Sequence, residues 1–483
     1  MIHNGFDLSA AARQTMIDEG FQPDFPSDAL QQLAALCAQA PVHADAMVRD
    51  LRSLLWSSID NDTSRDLDQA EVAERVDNGI RLLVAIADVD TDVPAGTPID
   101  RHAAIETTSV YTGVRTFPML PEELSTGLTS LNENEDRLAV VIEIVVAGDG
   151  SVSSGSVFRA LVRNRAQLTY NAVGAWLEGT AAAPAKVAAS AALQAQLKLQ
   201  DEASRLLLGE RNRMGALFLD RVEVEAVITD GKVAGLDTRR KNKATELIEN
   251  FMVAANGVMA RTLAQAGVSS IARVVRTPER WPRIVELAAR CGETLPATPD
   301  SGALNQFLLK RKAVDPDHYA DVSLAVVKLM GPGEYVLARP GDKDVGHFAL
   351  AAHDYTHSTA PNRRFADTVT QRLIKSVIAK TPAPYSDSQL DATAKNCTLK
   401  EESARKVERV MNKRIAAVAL RPRIGETFAA VVTGVTPKGV FVRVADPPAE
   451  GILIQGQGVD VGDKLQVRLI STDVQRGYLD FAR

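Results

Sequence analysis

The acidic stretch between residues 57 and 71 is the part of the sequence with the clearest capacity for chemistry. SSIDNDTSRDLDQAE holds four aspartates and one glutamate. Carboxylates gathered in this way are typical of a calcium loop, of a nuclease magnesium site or of a solvated polar turn. Counted from Asp60, oxygen-bearing side chains stand at positions 1, 3, 5, 7 and 9, and Glu71 stands at position 12, which is close to EF-hand spacing.

Two further requirements of an EF-hand are missing from the sequence. Its loop needs glycine at the sixth position and a helix after the last ligand. The sixth position is Arg65, and Asn78-Gly79 between two apolar stretches is typical of a β-hairpin. A strand is therefore expected after the loop, and the calcium interpretation is disfavoured.

The hydrophobic patterns around this loop predict an α+β fold. Three short helices are expected before the loop, in SAAARQTMIDEG, SDALQQLAALCAQA and AMVRDLRSLLW, the first two with serine caps. From about residue 80, IRLLVAIADV and RLAVVIEIVV predict strands, since they are apolar runs rich in Val and Ile. Helices are predicted later, in ATELIENFMVAANGVMARTLAQ, DTVTQRLIKSVIA and ESARKVERVMNKRIAAVAL. Strands followed by helices indicate one large mixed domain.

A change of pattern near LRPRIGETF predicts a separate C-terminal domain. The residues that follow alternate between apolar and polar types in short strands, which is typical of a five-stranded OB-fold barrel. The predicted domains are thus 1–54, helical and possessing a helix-turn-helix-like pattern, 55–421, large and mixed, and 422–483, a β-barrel.

Composition narrows the classes of protein. The chain has 483 residues with 45% hydrophobic content and contains no apolar run of about 18 residues, so we expect a cytoplasmic protein without a membrane span. Its cysteines Cys37, Cys291 and Cys397 are far apart and are expected to be buried apolar residues.

The net charge of −6 conceals an uneven distribution. Residues 1–50 carry seven acids and two bases, whereas residues 361–420 carry twelve bases and six acids. The acidity of the first segment argues against DNA reading by its helices. The basic segment is typical either of a solvated helix face or of a surface that contacts a nucleic-acid backbone.

Several motifs together resemble one enzyme family. SIDNDTSRDLDQA resembles the aspartate-rich signature of the RNase II / RNase R exoribonucleases, the RNB family. Further similar strings follow in family order: LLVAIADV, FPMLPEELS, LIENFMVAAN, HFALAAHDYTHSTAPNRRFAD and KVERVMNKR. A terminal barrel of the S1 type belongs to the same architecture.

The resemblance implies an Mg²⁺-dependent 3′-to-5′ exoribonuclease. Such an enzyme trims single-stranded RNA processively to nucleoside 5′-monophosphates, with RNA 3′ ends as its partner and no obligate protein partner. Asp60, Asp66 and Asp68 match the metal positions of the family, and Arg363 matches its phosphate-clamping arginine. Carboxylates suit hard Mg²⁺ ions, and the planar guanidinium suits a phosphate.

The resemblance also implies a set of RNA-binding residues. They are Tyr111, Tyr170, Phe218, Glu249 and Glu408. Phe218 is included because the family's stacking phenylalanine aligns with Leu219, beside it. For the tyrosines the ordinary alternative is a core or surface position, and for the glutamates it is a helix salt bridge.

Two departures from the family pattern affect the expected activity. Gln69 stands where the family has its fourth signature aspartate, and an amide brings neither a charge nor the ability to accept a proton. Asp62 and Glu71 are nearby carboxylates that could compensate. An RNA-binding protein with weak or lost catalysis is therefore the alternative function. The second departure is the N-terminus, where relatives carry two cold-shock barrels; fewer barrels predict tolerance of partly structured 3′ ends.

Overall fold

The computed structural model describes residues 2–3, 6–39, 47–219, 223–229, 232–316, 319–342, 346–437 and 439–483. In chain order the strands are β1 (Ile2–His3), β2 (Phe6–Asp7), β3 (Val48–Asp50), β4 (Trp56–Asp60), β5 (Gln69–Val76), β6 (Gly79–Ala87), β7 (Val110–Tyr111), β8 (Thr116–Phe117), β9 (Asp136–Val146), β10 (Val152–Thr169), β11 (Glu223–Thr229), β12 (Lys232–Arg239), β13 (Ser270–Val274), β14 (Glu334–Ala338), β15 (Thr427–Thr436), β16 (Gly439–Ala445), β17 (Pro448–Leu453), β18 (Lys464–Asp473) and β19 (Tyr478–Ala482).

The α-helices, in chain order, are α1 (Leu8–Asp18), α2 (Ser27–Cys37), α3 (Val89–Asp92), α4 (Pro98–Glu106), α5 (Tyr170–Leu177), α6 (Ala185–Ala188), α7 (Ala191–Arg213), α8 (Lys243–Gln265), α9 (Trp281–Arg290), α10 (Ser301–Val314), α11 (Tyr319–Met330), α12 (Phe365–Ala379) and α13 (Asp387–Leu420). The three long helices predicted from the sequence are confirmed as α8, α12 and α13.

The N-terminal helices differ from the prediction in their caps. α1 is capped by Asp7, whose Oδ1 accepts hydrogen bonds from the backbone N–H groups of Ser9 at 2.9 Å and Ala10 at 3.2 Å. α2 follows Pro26, which provides no side-chain cap, and Ser27 is already helical. Two predicted helices are therefore confirmed, but their serine caps are wrong, because the extended backbone that defines a cap lies one or two residues earlier.

The third predicted N-terminal helix is wrong. Val48–Asp50 forms β3, which pairs in parallel with residues 159–161 of β10. Pairing with a long neighbouring strand outweighs the helical spacing of its apolar residues. Residues before 55 thus contribute to the central sheet, and the domain bounds stay a prediction.

The central sheet carries the acidic loop. Its six strands run in the order β3-β10-β4-β5-β6-β9, and β10 also pairs with β9 along its first part. β10 therefore lies between β9 on one side and β3 and β4 on the other, which bends the sheet back on itself. α5, α7 and α8 cover one side, so the Val- and Ile-rich strands lie in the largest hydrophobic core.

The predicted hairpin after the acidic loop is confirmed. β5 and β6 pair antiparallel, with Asp77 and Asn78 as the turn and Val76 opposite Gly79. A Cβ atom on Gly79 would lie 2.1 Å from the Val146 carbonyl oxygen, so only glycine fits. The acidic loop is thus followed by a strand, and the helix that an EF-hand requires is not formed by these residues.

The predicted C-terminal barrel is also confirmed. Strands β15 to β19 close in the order β15-β16-β17-β19-β18 around a core that includes Phe428, Val442 and Phe481. Leu420, at the end of α13, belongs to the same core, so the long helix anchors the barrel. Arg443 of β16 forms an ion pair with Asp321 of α11, which joins the barrel to the helices of residues 281–330.

The cysteine prediction is correct for one residue. Cys397 is buried, whereas Cys37 is exposed and Cys291 is half-buried. Cys37 lies at the end of α2 on the surface, whereas Cys291, just after α9, packs partly against the hydrophobic cluster that contains Trp281 and Leu295. Among the described helices, none is both long enough and apolar enough to cross a membrane.

Candidate active site

The acidic loop connects the ends of two adjacent strands. β4 ends at Asp60 and β5 begins at Gln69, so the loop opens at one edge of the sheet. Asp60 Oδ1 accepts hydrogen bonds from the Asn61 N–H at 2.7 Å and the Ser64 hydroxyl at 3.0 Å. Burial raises the pKa of Asp60, although these two donors and Arg363 oppose the rise. The carboxylate is thus held in a fixed orientation.

Asp68 is the most deeply placed of the three predicted metal ligands. Its side chain is 8% exposed, and Oδ1 accepts a hydrogen bond of 3.0 Å from the Asn362 N–H. Oδ2 lies 3.5 Å from Arg363 Nε and has no hydrogen-bond partner among the described residues. Burial raises the pKa of Asp68 to about 7; Arg363 opposes this rise and Asp66 adds to it.

Asp66 and Tyr111 meet at the open side of the loop. The Tyr111 hydroxyl donates to Asp66 Oδ2 at 3.3 Å, and the tyrosine is 42% exposed. Desolvation of the hydroxyl raises the pKa of Tyr111, so it stays a donor at neutral pH. The Glu408 carboxyl, on α13, accepts from the Tyr111 N–H, and burial raises the pKa of this glutamate. Glu408 therefore holds the short strand that carries Tyr111.

Arg363 is positioned by a turn before α12. The Arg363 carbonyl accepts from the Ser109 N–H at 3.0 Å, which ties the turn to β7. Arg364 points to a different partner: its Nη2 donates to Asp367 Oδ1 at 2.6 Å, and the Asp367 side chain is fully buried. Arg364 is thus a structural tether of the turn that presents Arg363.

Gln69 and the two nearby acids differ in their surroundings. Gln69 is buried, and its Nε2 donates to the Ile59 carbonyl at 3.1 Å. Asp62 is exposed and accepts from Asn171 Nδ2 at 2.6 Å. Glu71 is fully buried in β5, and burial followed by the charge of Asp60 raises its pKa well above the usual value.

The remaining predicted RNA-binding residues lie in two places. Tyr170 begins α5 immediately after Thr169, which is the register partner of Asp60. Glu249 accepts from Lys241 Nζ at 2.6 Å and from Arg211 Nη2 at 3.4 Å. Although burial opposes it, the two cations lower the pKa of Glu249.

Phe218 is half-buried in the fourth hydrophobic cluster. Lys312 Nζ lies 4.1 Å from the centroid of its ring, within cation–π distance. Lys312 also acts electrostatically on Glu246, one helical turn from Glu249 on α8. Phe218 and Glu249 thus share a basic surrounding that is separate from the acidic loop.

Sequence reasoning missed two residues that build the site. Asn362 donates its backbone N–H to Asp68, and its side-chain Oδ1 accepts from Thr129 at 2.6 Å. Asp367 accepts from the Ala360 N–H at 2.8 Å as well as from Arg364. Both stand within the APNRRFAD string, but only the folded turn shows which of its residues face inward.

The donor set suits a hard cation. Among the described residues no three His, Cys, Asp or Glu side chains form a ready-made metal centre. However, the charge of Asp66 acts on both Asp60 and Asp68, and Asp68 Oδ2 is a buried oxygen without a hydrogen-bond partner among these residues. Carboxylates brought together against their own repulsion, with an unused buried oxygen, fit Mg²⁺.

Comparison with known proteins defines the class. Residues 48–380 match the family described as RNB domain, and residues 426–483 match the RNase II-type exonuclease C-terminal S1 domain. The chain belongs to the RNB family. The resemblance recognised in the sequence motifs is therefore confirmed.

Individual relatives are ribonucleases R. The chain is 28% identical to Ribonuclease R 1 of Lactococcus lactis over 95% of this chain and 59% of that protein. It is 30% identical to Ribonuclease R of Vibrio cholerae over 89% of this chain and 53% of that protein. The chain thus spans between half and two thirds of the length of these two relatives.

Solved structures share the fold. RNase R of Mycoplasma genitalium in complex with double-stranded RNA has a TM-score of 0.87 and 25% identity, covering 99% of this chain and 83% of that one. The same protein with ribose-methylated single-stranded RNA gives 0.88 at 24% identity, covering 99% and 78%. Yeast Ssd1, a pseudonuclease, gives 0.72 at 17% identity over 97% of this chain and 58% of that one. The same fold therefore occurs both in RNase R and in a pseudonuclease.

Proposed function

We propose that this protein is an Mg²⁺-dependent 3′-to-5′ exoribonuclease that hydrolyses single-stranded RNA processively to nucleoside 5′-monophosphates. The observation that carries the proposal is the contact of Asp68 with Arg363 beside Asp60 and Asp66, which puts clustered carboxylates and a guanidinium at one opening. Metal-assisted hydrolysis of an RNA phosphodiester uses this combination, in which carboxylates hold the cation and a guanidinium binds the phosphate. The relatives named ribonuclease R support the choice of RNA.

Asp60, Asp66 and Asp68 would hold the metal. When bound, Mg²⁺ neutralises charge on the phosphate and activates the attacking water. The Arg363 guanidinium lies at the same opening, 45% exposed, so it can bind a phosphate oxygen while staying near Asp68. Tyr111, exposed beside Asp66, would contact the terminal nucleotide, and Glu408 would keep it in place.

Tyr170, Phe218 and Glu249 would contact RNA further from the scissile bond. Tyr170 starts from the strand end that pairs with Asp60, so it borders the opening. Lys241 and Arg211 form ion pairs with Glu249 and balance its charge. The Glu249 carboxylate could accept hydrogen bonds from sugar hydroxyls, and the two cations could bind phosphates. Partly structured 3′ ends as substrates, a cytoplasmic location and the lack of an obligate protein partner stay predictions.

Gln69 raised the alternative of an RNA-binding protein with weak or lost catalysis. The relatives, which are named as ribonucleases, do not favour it. The buried carboxylate of Glu71, on the same strand, could replace the missing charge.

The experiment is cleavage of a 5′-labelled single-stranded oligoribonucleotide with Mg²⁺. We expect conversion to a short 5′-labelled end product with few products of intermediate length, because processive trimming removes many nucleoside 5′-monophosphates from the 3′ end before the enzyme dissociates. Asp68→Asn and Asp60→Asn should abolish cleavage while RNA is still bound, because each removes charge from the metal site and little from the RNA path. The matched control is Asp62→Asn, which changes an exposed acid of the same loop and should retain cleavage. Full activity of Asp68→Asn would contradict the proposal.

A further inference from the structure

One face of β4 and β5, behind the acidic loop, carries three buried polar side chains. Gln69 and Glu71 are two residues apart on β5 and therefore point to the same face. Ser57 of β4 is the register partner of Glu71, so its side chain lies on that face as well. Ser57 and Glu71 are 0% exposed and Gln69 is 6% exposed.

The oxygens of these side chains lack partners. Ser57 Oγ, Gln69 Oε1 and both carboxylate oxygens of Glu71 make no hydrogen bond to any described residue. The orientation of the Gln69 amide is fixed, because Nε2 donates to the Ile59 carbonyl and leaves Oε1 as the unused atom. A buried oxygen without a partner is unfavourable because it has given up its hydrogen bonds to water, so several together indicate a bound species.

The charge around Glu71 indicates what that species is. The buried carboxylate of Asp68 has the cationic side chain of Arg363 beside it, and the partly buried Glu249 of α8 has Lys241. Within the described part of the chain, Asp60 is the charged group found to act on Glu71. An all-oxygen donor set with surplus negative charge suits a hard divalent cation.

We propose that Glu71 supplies the carboxylate that position 69 lacks, and that Asp60, the amide oxygen of Gln69 and Glu71 together bind one divalent cation. This proposal rests on the proposed function, because the cation would belong to the same metal site. Glu71 lies two residues beyond Gln69 on β5, so its Cα is about 7 Å further along the strand. A glutamate side chain is one methylene longer than an aspartate side chain, which brings its carboxylate part of the way back towards the position of residue 69. Asp62, the other compensating acid, is excluded because it is exposed and bound to Asn171.

The test counts metal ions in the absence of RNA. Mn²⁺ is titrated into the full chain, and unbound Mn²⁺ is measured by electron paramagnetic resonance. Glu71→Gln should bind one ion fewer per chain, or bind it at least tenfold more weakly, than the unchanged protein. Asp62→Asn is the matched control and should bind Mn²⁺ normally. Normal binding by Glu71→Gln would overturn the proposal and make Glu71 a neutral group among buried waters.

A carboxylate exchange tests the same idea from the other direction. In the Glu71→Gln background, Gln69→Asp should restore the lost ion, because the charge returns to the face on which it was removed. Gln69→Asp alone should give no additional ion. The melting temperature in the absence of metal verifies that each variant is folded. If Glu71→Gln does not fold, the double variant Gln69→Asp/Glu71→Leu is measured in its place. If that double variant does not bind the ion, the proposal is overturned.

The metal count and the cleavage assay separate the two proposals. If Glu71→Gln loses an ion but the unchanged protein does not cleave RNA, the cation site stands and the exoribonuclease function fails. If RNA is cleaved and Glu71→Gln binds Mn²⁺ normally, the function stands and the Glu71 assignment fails.

Discussion

The buried ion network around Arg372 is expected to be a major source of stability for the helix next to the active-site turn. Arg372 lies on α12, which follows Arg363 and Arg364 in the chain, and its side chain is 3% exposed. Its guanidinium lies 2.7 Å from Asp90 and 2.8 Å from Asp100, and donates to the Tyr385 hydroxyl at 2.6 Å. One side chain therefore connects α12 to α3, to α4 and to the segment before α13.

The expected cost of removing this side chain follows from the partners left behind. Truncating one member of a buried ion pair costs about 3–5 kcal/mol, because the remaining charge stays desolvated. In Arg372→Met, Asp90 keeps Lys375 at 2.9 Å and Asp100 keeps the Gly96 N–H at 2.7 Å. These contacts place the expected loss at the lower end, about 3 kcal/mol.

Urea unfolding followed by circular dichroism measures this loss. The matched control is Arg75→Met, whose partner is Glu202; their side chains are 60% and 40% exposed, and solvent screens such surface pairs so that they contribute little to stability. We expect a clearly lower unfolding midpoint for Arg372→Met and almost none of this effect for Arg75→Met. Equal effects of the two substitutions would refute the reasoning and show that Lys375 alone neutralises the buried acids.

Two further predictions concern the opening itself. Burial raises the pKa of Asp68 from 3.8 to about 7, so the folded metal-free chain binds this proton more tightly than the unfolded chain does. The free energy of unfolding should therefore decrease as the pH rises from about 4 to about 7, and this decrease should stop above pH 7. Melting curves over this range should therefore fall more steeply for the unchanged protein than for Asp68→Asn, and parallel curves would contradict the shift. Tyr111→Phe should lower the rate of RNA cleavage less than about fivefold, because the hydrogen bond from its hydroxyl to Asp66 is 3.3 Å long and the side chain is 42% exposed. Tyr111→Ala should lower the rate further because the ring is lost as well. Equal losses of the two variants in steady-state kinetics would show that the hydroxyl dominates.

Local patterns were sufficient for the long elements. Val- and Ile-rich runs predicted β6 and β9, helical spacing predicted α8, α12 and α13, and alternation predicted the terminal barrel. Val48–Asp50 was wrongly predicted as helix because its conformation depends on β10, more than a hundred residues later in the chain. Short segments follow their neighbours when a strand edge is available to pair with.

The sequence by itself determined which chemistry is available. The four aspartates of the loop lie within one short stretch of sequence, and so do the arginines of the NRR string, so their residue types can be read directly. Only the tertiary structure decided how these groups meet: Asp68 lies against Arg363, and Tyr111 lies against Asp66. Glu71 is buried within electrostatic reach of Asp60, whereas Asp62 lies at the surface. The physical reason is that burial and electrostatic coupling depend on distances between strands and helices far apart in the chain. Strand alternation places Gln69 and Glu71 on one face, but only the tertiary structure shows that both side chains are buried there.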